Sequence, residues 1–186
     1  MLTTLALLMS LTAGTVVAAS GQEVDVELVL AVDVSGSMDI EEAQIQRAGY
    51  VDALRHPDFI NAVREGLTGR IAISYFEWAG TIRDSSHLPW QVISGPEEAK
   101  AFAALLEARP IATRRGTSIS GAIAYGAKLF DANGYTGMRR VIDISGDGPN
   151  NFGAPVMPAR DAATALGIVI NGLAIMIRPS AAFGRS

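Results

Sequence analysis

Three short segments of the sequence are rich in side-chain oxygen atoms and together can hold a hard metal ion. The first, at 33–37, carries a carboxylate and two hydroxyls on alternate residues, so all three can point the same way in an extended loop. A Gly-Thr pair and an Asp-Gly pair follow much later in the chain. Two carboxylates and three hydroxyls suit Mg²⁺, or Mn²⁺ or Ca²⁺, better than zinc or copper. The candidate metal-binding residues are Asp33, Ser35, Ser37, Thr117 and Asp147.

Other polar residues beside these segments are candidates for contact with a partner molecule. Arg115 stands two residues before Thr117, and Asn150 and Asn151 follow Asp147 closely. An arginine near a metal site can steer an acidic partner towards it. The two asparagines can equally shape their own loop, because asparagine side chains bond readily to nearby backbone groups.

The composition narrows the classes of chemistry that are open to the chain. Its 186 residues carry 15 basic and 19 acidic side chains, a formal charge of −4, which argues against a dedicated nucleic-acid-binding protein. No cysteine is present, so thiol catalysis and disulfides are excluded. The two histidines lie far apart in the sequence, which excludes a histidine-rich metal site. A hydrophobic share of 49% is typical of a folded protein.

The segments that must position these residues alternate between strand and helix patterns. Strands are predicted at 26–33, 70–78, 81–93, 140–145 and 168–175, and helices at 39–54, 58–65, 96–109, 118–131 and 159–166. Helical spacing places Ile40 with Val51 and Leu54 on the buried side of the first helix. The alternation predicts an α/β fold with a doubly wound, mostly parallel sheet and one antiparallel edge strand. Ligands of such sheets bind beyond the carboxyl ends of the strands, where the three oxygen-rich loops are expected.

The order and spacing of these loops resemble the metal-ion-dependent adhesion site of von Willebrand factor type A domains. The resemblance runs from about residue 24 to residue 177, and the stretch VIDISGDGPNN is similar to that of a family of uncharacterised exported bacterial proteins bearing this domain. It implies a Rossmann-like fold in which the hydroxyls of Ser35, Ser37 and Thr117 bind the metal directly. Asp33 and Asp147 would act through waters or as alternating direct ligands. A Glu or Asp carboxylate of a partner protein would fill the open metal position.

Two features depart from this family pattern. Gly146 stands where the family commonly has threonine. The chain also ends soon after the last predicted strand, where such domains usually continue with a sixth strand and a final helix. We therefore expect residues 20–186 to form a C-terminally truncated domain that lacks this last strand and helix.

The N-terminal residues predict a targeting signal. Residues 1–22 hold no charged side chain, and an apolar run is followed by Val17-Ala18-Ala19, small residues that suit signal peptidase. A signal peptide over 1–19 is therefore expected, with no membrane span after its cleavage. The mature protein is expected in the periplasm or outside the cell.

Two classes of function fit this pattern, and a binding module is the one we favour over an enzyme. Such a module would use a divalent metal to hold a carboxylate of a partner protein. A metal-assisted hydrolase such as a phosphatase is the alternative, but no residue is placed as a general base, and the phosphate-binding GxxxxGK[ST] motif is absent. A subunit of an intracellular chelatase-type complex is a third hypothesis, and the predicted signal peptide argues against it.

Overall fold

Residues 21–175, the part of the chain that the computed structural model describes, form five strands and five helices. The strands are β1 (Gln22–Asp33), β2 (Ile71–Trp78), β3 (Leu88–Ile93), β4 (Tyr135–Gly146) and β5 (Ile168–Ala174). The helices are α1 (Ile40–Arg55), α2 (Pro57–Arg64), α3 (Pro96–Glu107), α4 (Ile119–Lys128) and α5 (Val156–Ala165). The predicted signal peptide and the end of the predicted domain lie outside this range. No helix within it is both long and apolar enough to cross a membrane.

The strands form one sheet in the order β3-β2-β1-β4-β5. β1 pairs in parallel with β2 and with β4, β4 pairs in parallel with β5, and β3 runs antiparallel to β2 at one edge. The predicted α/β class, with a doubly wound and mostly parallel sheet and one antiparallel edge strand, is confirmed. Because the chain leaves β1 towards β2 and later returns beside β1 as β4, the reversal of strand order falls between β1 and β4. Their carboxyl ends therefore frame the crevice where ligands of such sheets bind.

The two faces of the sheet are covered by different helices. Alternate residues of β1 point to opposite faces, so Leu30 packs with α1, α2 and α3, whereas Val29 packs with α4 and α5. A strand buried on both faces needs a continuous apolar run, which the segment around these two residues supplies. This double burial holds β1 rigidly at the centre of the sheet and fixes the position of the loop that follows it.

Several element boundaries differ from those predicted. β4 begins at Tyr135 rather than 140, because its polar first half pairs with the start of β1. Only the second half of the predicted strand 81–93 is extended, since a 3-10 turn at Asp84–Ser86 precedes β3. α5 begins three residues earlier than predicted, at Val156, and includes Pro158 in its first turn. Proline is tolerated there because the first N–H groups of a helix have no intrahelical partner.

The buried side of α1 also differs from the prediction. Ile40 is 58% exposed, so its predicted place in the core is wrong, whereas Val51 and Leu54 are buried as expected. Arg47 is buried instead and forms an ion pair with Glu77 of β2. A charged side chain on the inner face of a helix is favourable only with such a partner, and the partner lies 30 residues away in the sequence.

Candidate metal centre

Four of the five predicted metal-binding residues form one hydrogen-bonded chain at the carboxyl ends of β1 and β4. The backbone N–H of Ser35 donates to Asp33 Oδ1 at 2.7 Å, and the hydroxyl oxygens of Ser35 and Ser37 lie 3.0 Å apart. Ser37 Oγ donates to Asp147 Oδ1 at 2.8 Å, across 110 residues of sequence. The fold thus brings the first and third oxygen-rich loops into direct contact.

Asp33 carries an unsatisfied oxygen in the middle of this chain. Its side chain is fully buried, and within the described residues Oδ2 has no hydrogen-bond partner. Burial raises the pKa of the Asp33 carboxyl, and the nearby charge of Asp147 raises it further, against the opposing hydrogen bond from Ser35. An unpaired buried acceptor costs about 1–3 kcal/mol, and more when it is charged. A cation beside Oδ2 would offset both the desolvation and the repulsion, so these residues fit a divalent metal.

Thr117 reaches the same edge from the start of α4. Its side chain is buried, and its backbone N–H donates to Asn151 Oδ1 at 2.8 Å. Three residues earlier, the backbone N–H of Arg114 donates to Val34 O at 2.8 Å. The loop before α4 is therefore held to both of the other oxygen-rich loops. Among residues 21–175, no hydrogen bond joins Thr117 directly to the four other candidate ligands.

The three predicted partner-contact residues differ in whether their side chains are available to contact a partner. Arg115 is exposed on the rim of the site. Asn151 holds the backbone of Thr117, and Asn150 accepts from the Ser120 N–H at 3.2 Å while donating to Ala154 O at 3.1 Å. Both asparagines thus shape the loop after β4 and fasten it to the start of α4, which is the structural role the sequence left open for them.

Gln46 of α1 is a site residue that sequence reasoning missed. Its Nε2 donates to the Asp33 carbonyl at 2.8 Å, and its Oε1 accepts from Ser145 Oγ at 3.2 Å. One amide therefore ties the ends of β1 and β4 together beneath the candidate ligands. A signal was available, because Gln46 follows the buried Ala43 by three residues and so faces the sheet.

Gly146 lies where a β-carbon would crowd the buried Asp33 carboxylate and touch the buried ring of Trp78. A β-carbon there would be 3.1 Å from Asp33 Oδ2 and 3.5 Å from the ring of Trp78. Trp78 is fully buried, and within the described residues its indole N–H has no partner. The indole fills the space that a threonine side chain would need at 146. Glycine rather than threonine at 146 is therefore compatible with the large side chain of Trp78. It also leaves space beside Asp33 Oδ2.

Within the part of the chain that the structure describes, no three or more His, Asp or Glu side chains come close enough to form a metal cluster. The candidate centre relies on two carboxylates supported by hydroxyls. Such an all-oxygen set with few charges suits Mg²⁺, Mn²⁺ or Ca²⁺ and leaves the site dependent on further oxygen donors from water or from a ligand.

Comparison with known sequences gives one family. The profile of a family described as "Protein of unknown function (DUF1194)" matches residues 23–184, which is most of the chain. No curated protein matches the sequence.

Solved structures from several organisms share the fold. The pilus adhesin SpaC from Lactobacillus rhamnosus GG superposes with a TM-score of 0.58 at 16% identity, over 88% of this chain and 26% of the adhesin. An aerotolerance-related membrane protein from Bacteroides fragilis NCTC 9343 gives 0.54 at 24% identity, over 87% of this chain and 77% of that protein. Proximal thread matrix protein 1 from the mussel byssus, with a zinc-occupied MIDAS motif, gives 0.57 at 15% identity, over 83% of this chain and 39% of that protein.

Two of these proteins are much longer than the part that superposes. This chain spans about a quarter of the adhesin and about two fifths of the mussel protein. At such identities the likeness establishes the fold alone, and it is the von Willebrand factor A-like fold that the order of loops implied.

Proposed function

This chain belongs to the family of proteins of unknown function DUF1194, and we propose that it is a protein-binding module that uses a divalent metal ion to hold a partner. The partner would present a Glu or Asp carboxylate. One observation carries the proposal: a fully buried carboxylate lies at the crevice between β1 and β4 beside two hydroxyls and a second carboxylate, and its oxygen Asp33 Oδ2 has no hydrogen-bond partner among residues 21–175.

The residues that would hold the ion are Asp33, Ser35, Ser37, Thr117 and Asp147, with Mg²⁺ as the first candidate and Mn²⁺ or Ca²⁺ as alternatives. A bound divalent ion supplies the positive charge that attracts a carboxylate. The Ser37 hydroxyl, which donates to Asp147 at 2.8 Å, would turn its lone pairs to the ion. Gln46 positions the chain ends that carry these ligands, because it bonds both Asp33 and Ser145.

Binding is favoured over catalysis by the placement of the two histidines. His87 lies between the 3-10 turn and β3, where its Nε2 is 3.0 Å from Ser74 Oγ, and His56 caps α2. Neither belongs to the loops that carry Asp33 and Asp147. A hydrolytic reaction needs a positioned base within hydrogen-bond reach of the attacking water. The proposal therefore assigns no catalytic residue.

Two of the structural relatives motivate the same role. SpaC is named a pilus adhesin, and the mussel protein is described with a zinc-occupied MIDAS motif. By analogy, we propose that this protein acts in adhesion or assembly after export to the periplasm or the cell exterior. The predicted signal peptide at 1–19 supports that location.

Calorimetric titration with Mg²⁺ tests the metal site. Asp147→Asn keeps an oxygen that can accept from Ser37 but removes the negative charge, so the loop is retained and the ion is not. Asp52→Asn removes the same charge from an exposed position in α1 and is the matched control. We expect saturable binding by the wild type and by Asp52→Asn, and loss of binding by Asp147→Asn with an unchanged circular dichroism spectrum. Equal binding by all three folded proteins would refute the site.

A second measurement tests the carboxylate. A fluorescent peptide with a single glutamate is compared, by anisotropy, with the same peptide carrying glutamine. Binding of the glutamate peptide is expected only with Mg²⁺, and Thr117→Ala is expected to abolish it while the fold is retained. If the glutamine peptide binds equally well, the metal does not hold a carboxylate.

A further inference from the structure

A second depression, lined by both apolar and charged side chains, lies at the same edge of the sheet, on the β2 side of the candidate metal centre. It is a groove of about 610 Å³ between the end of β2, the turn at 83–86, the end of α3 and the loop that leads to Thr117. Three arginines line it: Arg83, Arg109 and Arg114. The protein as a whole carries a net charge of −4, so this local concentration of positive charge runs against its overall composition.

The three arginines have no acidic partner within the described residues, since no carboxylate oxygen lies within 4.0 Å of their guanidinium nitrogens. The groove is lined by one acidic residue, Glu77, and its carboxylate is already neutralised by the buried guanidinium of Arg47. Tyr75 adds a hydrogen bond to the same Glu77 oxygen at 3.1 Å. The charge of the groove therefore remains positive.

The backbone holds two of these guanidinium groups in place. Arg114 Nη2 donates to Glu77 O at 3.2 Å, and Arg109 Nη2 donates to Ser85 O. A guanidinium has five N–H donors, so each keeps most of them for a ligand. Partial burial lowers the pKa of Arg114, and the like charge of Arg83 lowers it further, against the attraction of Glu77. A bound anion would relieve that repulsion, and fixed guanidinium groups lose little freedom when they bind a carboxylate in bidentate fashion.

The groove is continuous with the candidate metal centre. The backbone N–H of Arg114 donates to Val34 O, and Arg114 forms a parallel bridge with Ser35, a candidate metal ligand. The side chain of Arg114 thus lines the groove, while its backbone supports the loop that carries Ser35. A peptide that placed one carboxylate at the metal and extended towards β2 would therefore meet this groove.

We propose that the groove formed by Arg83, Arg109 and Arg114 binds further carboxylates of the partner, so that the protein recognises an acidic peptide segment rather than a single acidic residue. The inference rests on the proposed function for the identity of the partner. The groove itself needs no metal, and its own binding is separable from that of the metal centre.

Anisotropy of a fluorescent hexaglutamate peptide, measured in EDTA, tests the groove alone. Arg83→Gln and Arg114→Gln each remove one guanidinium charge, and Arg64→Gln removes the same charge from the exposed end of α2, near the amino ends of the strands. The wild type is expected to bind in EDTA, more weakly as salt is raised. Arg83→Gln is expected to weaken binding about three- to fivefold, as for an exposed ion pair. The half-buried Arg114 is expected to matter more, by about tenfold, and Arg64→Gln is expected to bind as the wild type does.

The same titration with Mg²⁺ separates the two proposals. Tighter binding with Mg²⁺, lost in Asp147→Asn while the EDTA binding remains, supports both. Binding only with Mg²⁺ that is insensitive to Arg83→Gln and Arg114→Gln would overturn the groove and leave the metal centre standing. An equal loss of hexaglutamate binding in Arg64→Gln would attribute the effect to overall charge and overturn the inference. Tight binding of inorganic phosphate without binding of hexaglutamate would overturn it as well.

Discussion

At Gly146, the absence of a side chain leaves room beside the buried carboxylate of Asp33. A β-carbon at this position would lie 3.1 Å from Asp33 Oδ2 and 3.5 Å from the ring of Trp78, and both groups are fully buried. A β-carbon at 146 would be in ordinary van der Waals contact with the indole, but Asp33 Oδ2 would have to shift by a few tenths of an ångström. The oxygen proposed to bind the metal would move first, because a carboxylate can rotate more freely than a packed indole.

Gly146→Ala is therefore expected to destabilise the protein by about 1–3 kcal/mol, the usual cost of overpacking a core. Mg²⁺ binding is expected to weaken as well. Urea denaturation with the single variants Gly146→Ala and Trp78→Phe, and with the double variant, checks the cause. The double variant should lose less than the sum of the single losses, because the smaller ring lets the methyl group shift away from Asp33 Oδ2. Additive losses would show that the contact does not matter.

Protonation of His87 is expected to lower the stability of the protein at mildly acidic pH. Partial burial lowers its pKa in the folded state, and the charge of Arg109 lowers it further, against the opposing charge of Asp84. At pH values between the folded and unfolded pKa, the unfolded chain binds more protons. The contribution of neutral His87 to the free energy of unfolding is therefore fully present above the unfolded pKa of about 6.5. It is lost as the pH drops through the folded pKa.

His87→Gln removes the titrating ring and keeps a nitrogen that can bond to Ser74 Oγ. We expect the wild type to lose more stability than this variant when urea denaturation is repeated from pH 7.5 down to pH 5. Parallel pH profiles for the two proteins would assign the change to other groups.

At the level of elements, α1 connects the candidate ligands to the core. It begins three residues after Ser37, with a reciprocal cap in which the Glu42 N–H donates to Asp39 Oδ1 and the Asp39 N–H donates to Glu42 Oε2, both at 2.8 Å. This cap sets the direction in which the first loop enters the helix. The same helix supplies Gln46, so its start and its second turn both act on the site.

Asp39→Ala is expected to cost about 1 kcal/mol of stability, as loss of an N-cap usually does. Because the loop that carries Ser37 is then less fixed, Mg²⁺ affinity should also fall. Glu41→Ala is the matched control, since Glu41 is an exposed acidic residue of the first turn outside the reciprocal cap. Calorimetry and urea denaturation should separate the two variants, and equal losses would attribute the effect to charge rather than to the cap.

Local patterns explain what the sequence could predict about these elements. The start of α1 was predictable because Asp39 can cap a helix and is followed by two glutamates in the first turn. The early start of β4 was not, because residues 135–139 lack a continuous apolar run and are held by pairing with β1, which no local pattern shows. The burial of Arg47 likewise depends on Glu77, which is distant in sequence.

Some residues of the candidate site could likewise be predicted from the sequence, and others could not. Its five proposed ligands stand out by type and spacing, and four of them meet in the fold. Gln46 and the arginine groove arise only when distant elements pack together, so sequence spacing could not assemble them. The strand order, which brings β4 beside β1, was not specified by the sequence pattern either.

For the whole molecule, the candidate centre joins parts of the chain that unfolding would scatter. Asp33 ends the central strand, Thr117 opens a helix on one face, and Asp147 follows a strand on the far side of β1. An unfolded chain cannot present these groups together, so an ion that binds them binds the folded state alone. Its binding free energy then adds to the stability of the entire domain.

Thermal unfolding measures this coupling. At a Mg²⁺ concentration 100 times the dissociation constant, the folded state should gain about 2.7 kcal/mol. For a chain of this size that corresponds to a rise in Tm of about 5–10 °C. Asp147→Asn should show no rise with Mg²⁺, and its Tm in EDTA should be equal to or slightly above that of the wild type, because one of two mutually repelling carboxylates has been neutralised. A rise of the same size in both proteins would mean that Mg²⁺ stabilises the fold from some other place, and the crevice between β1 and β4 would lose its proposed role.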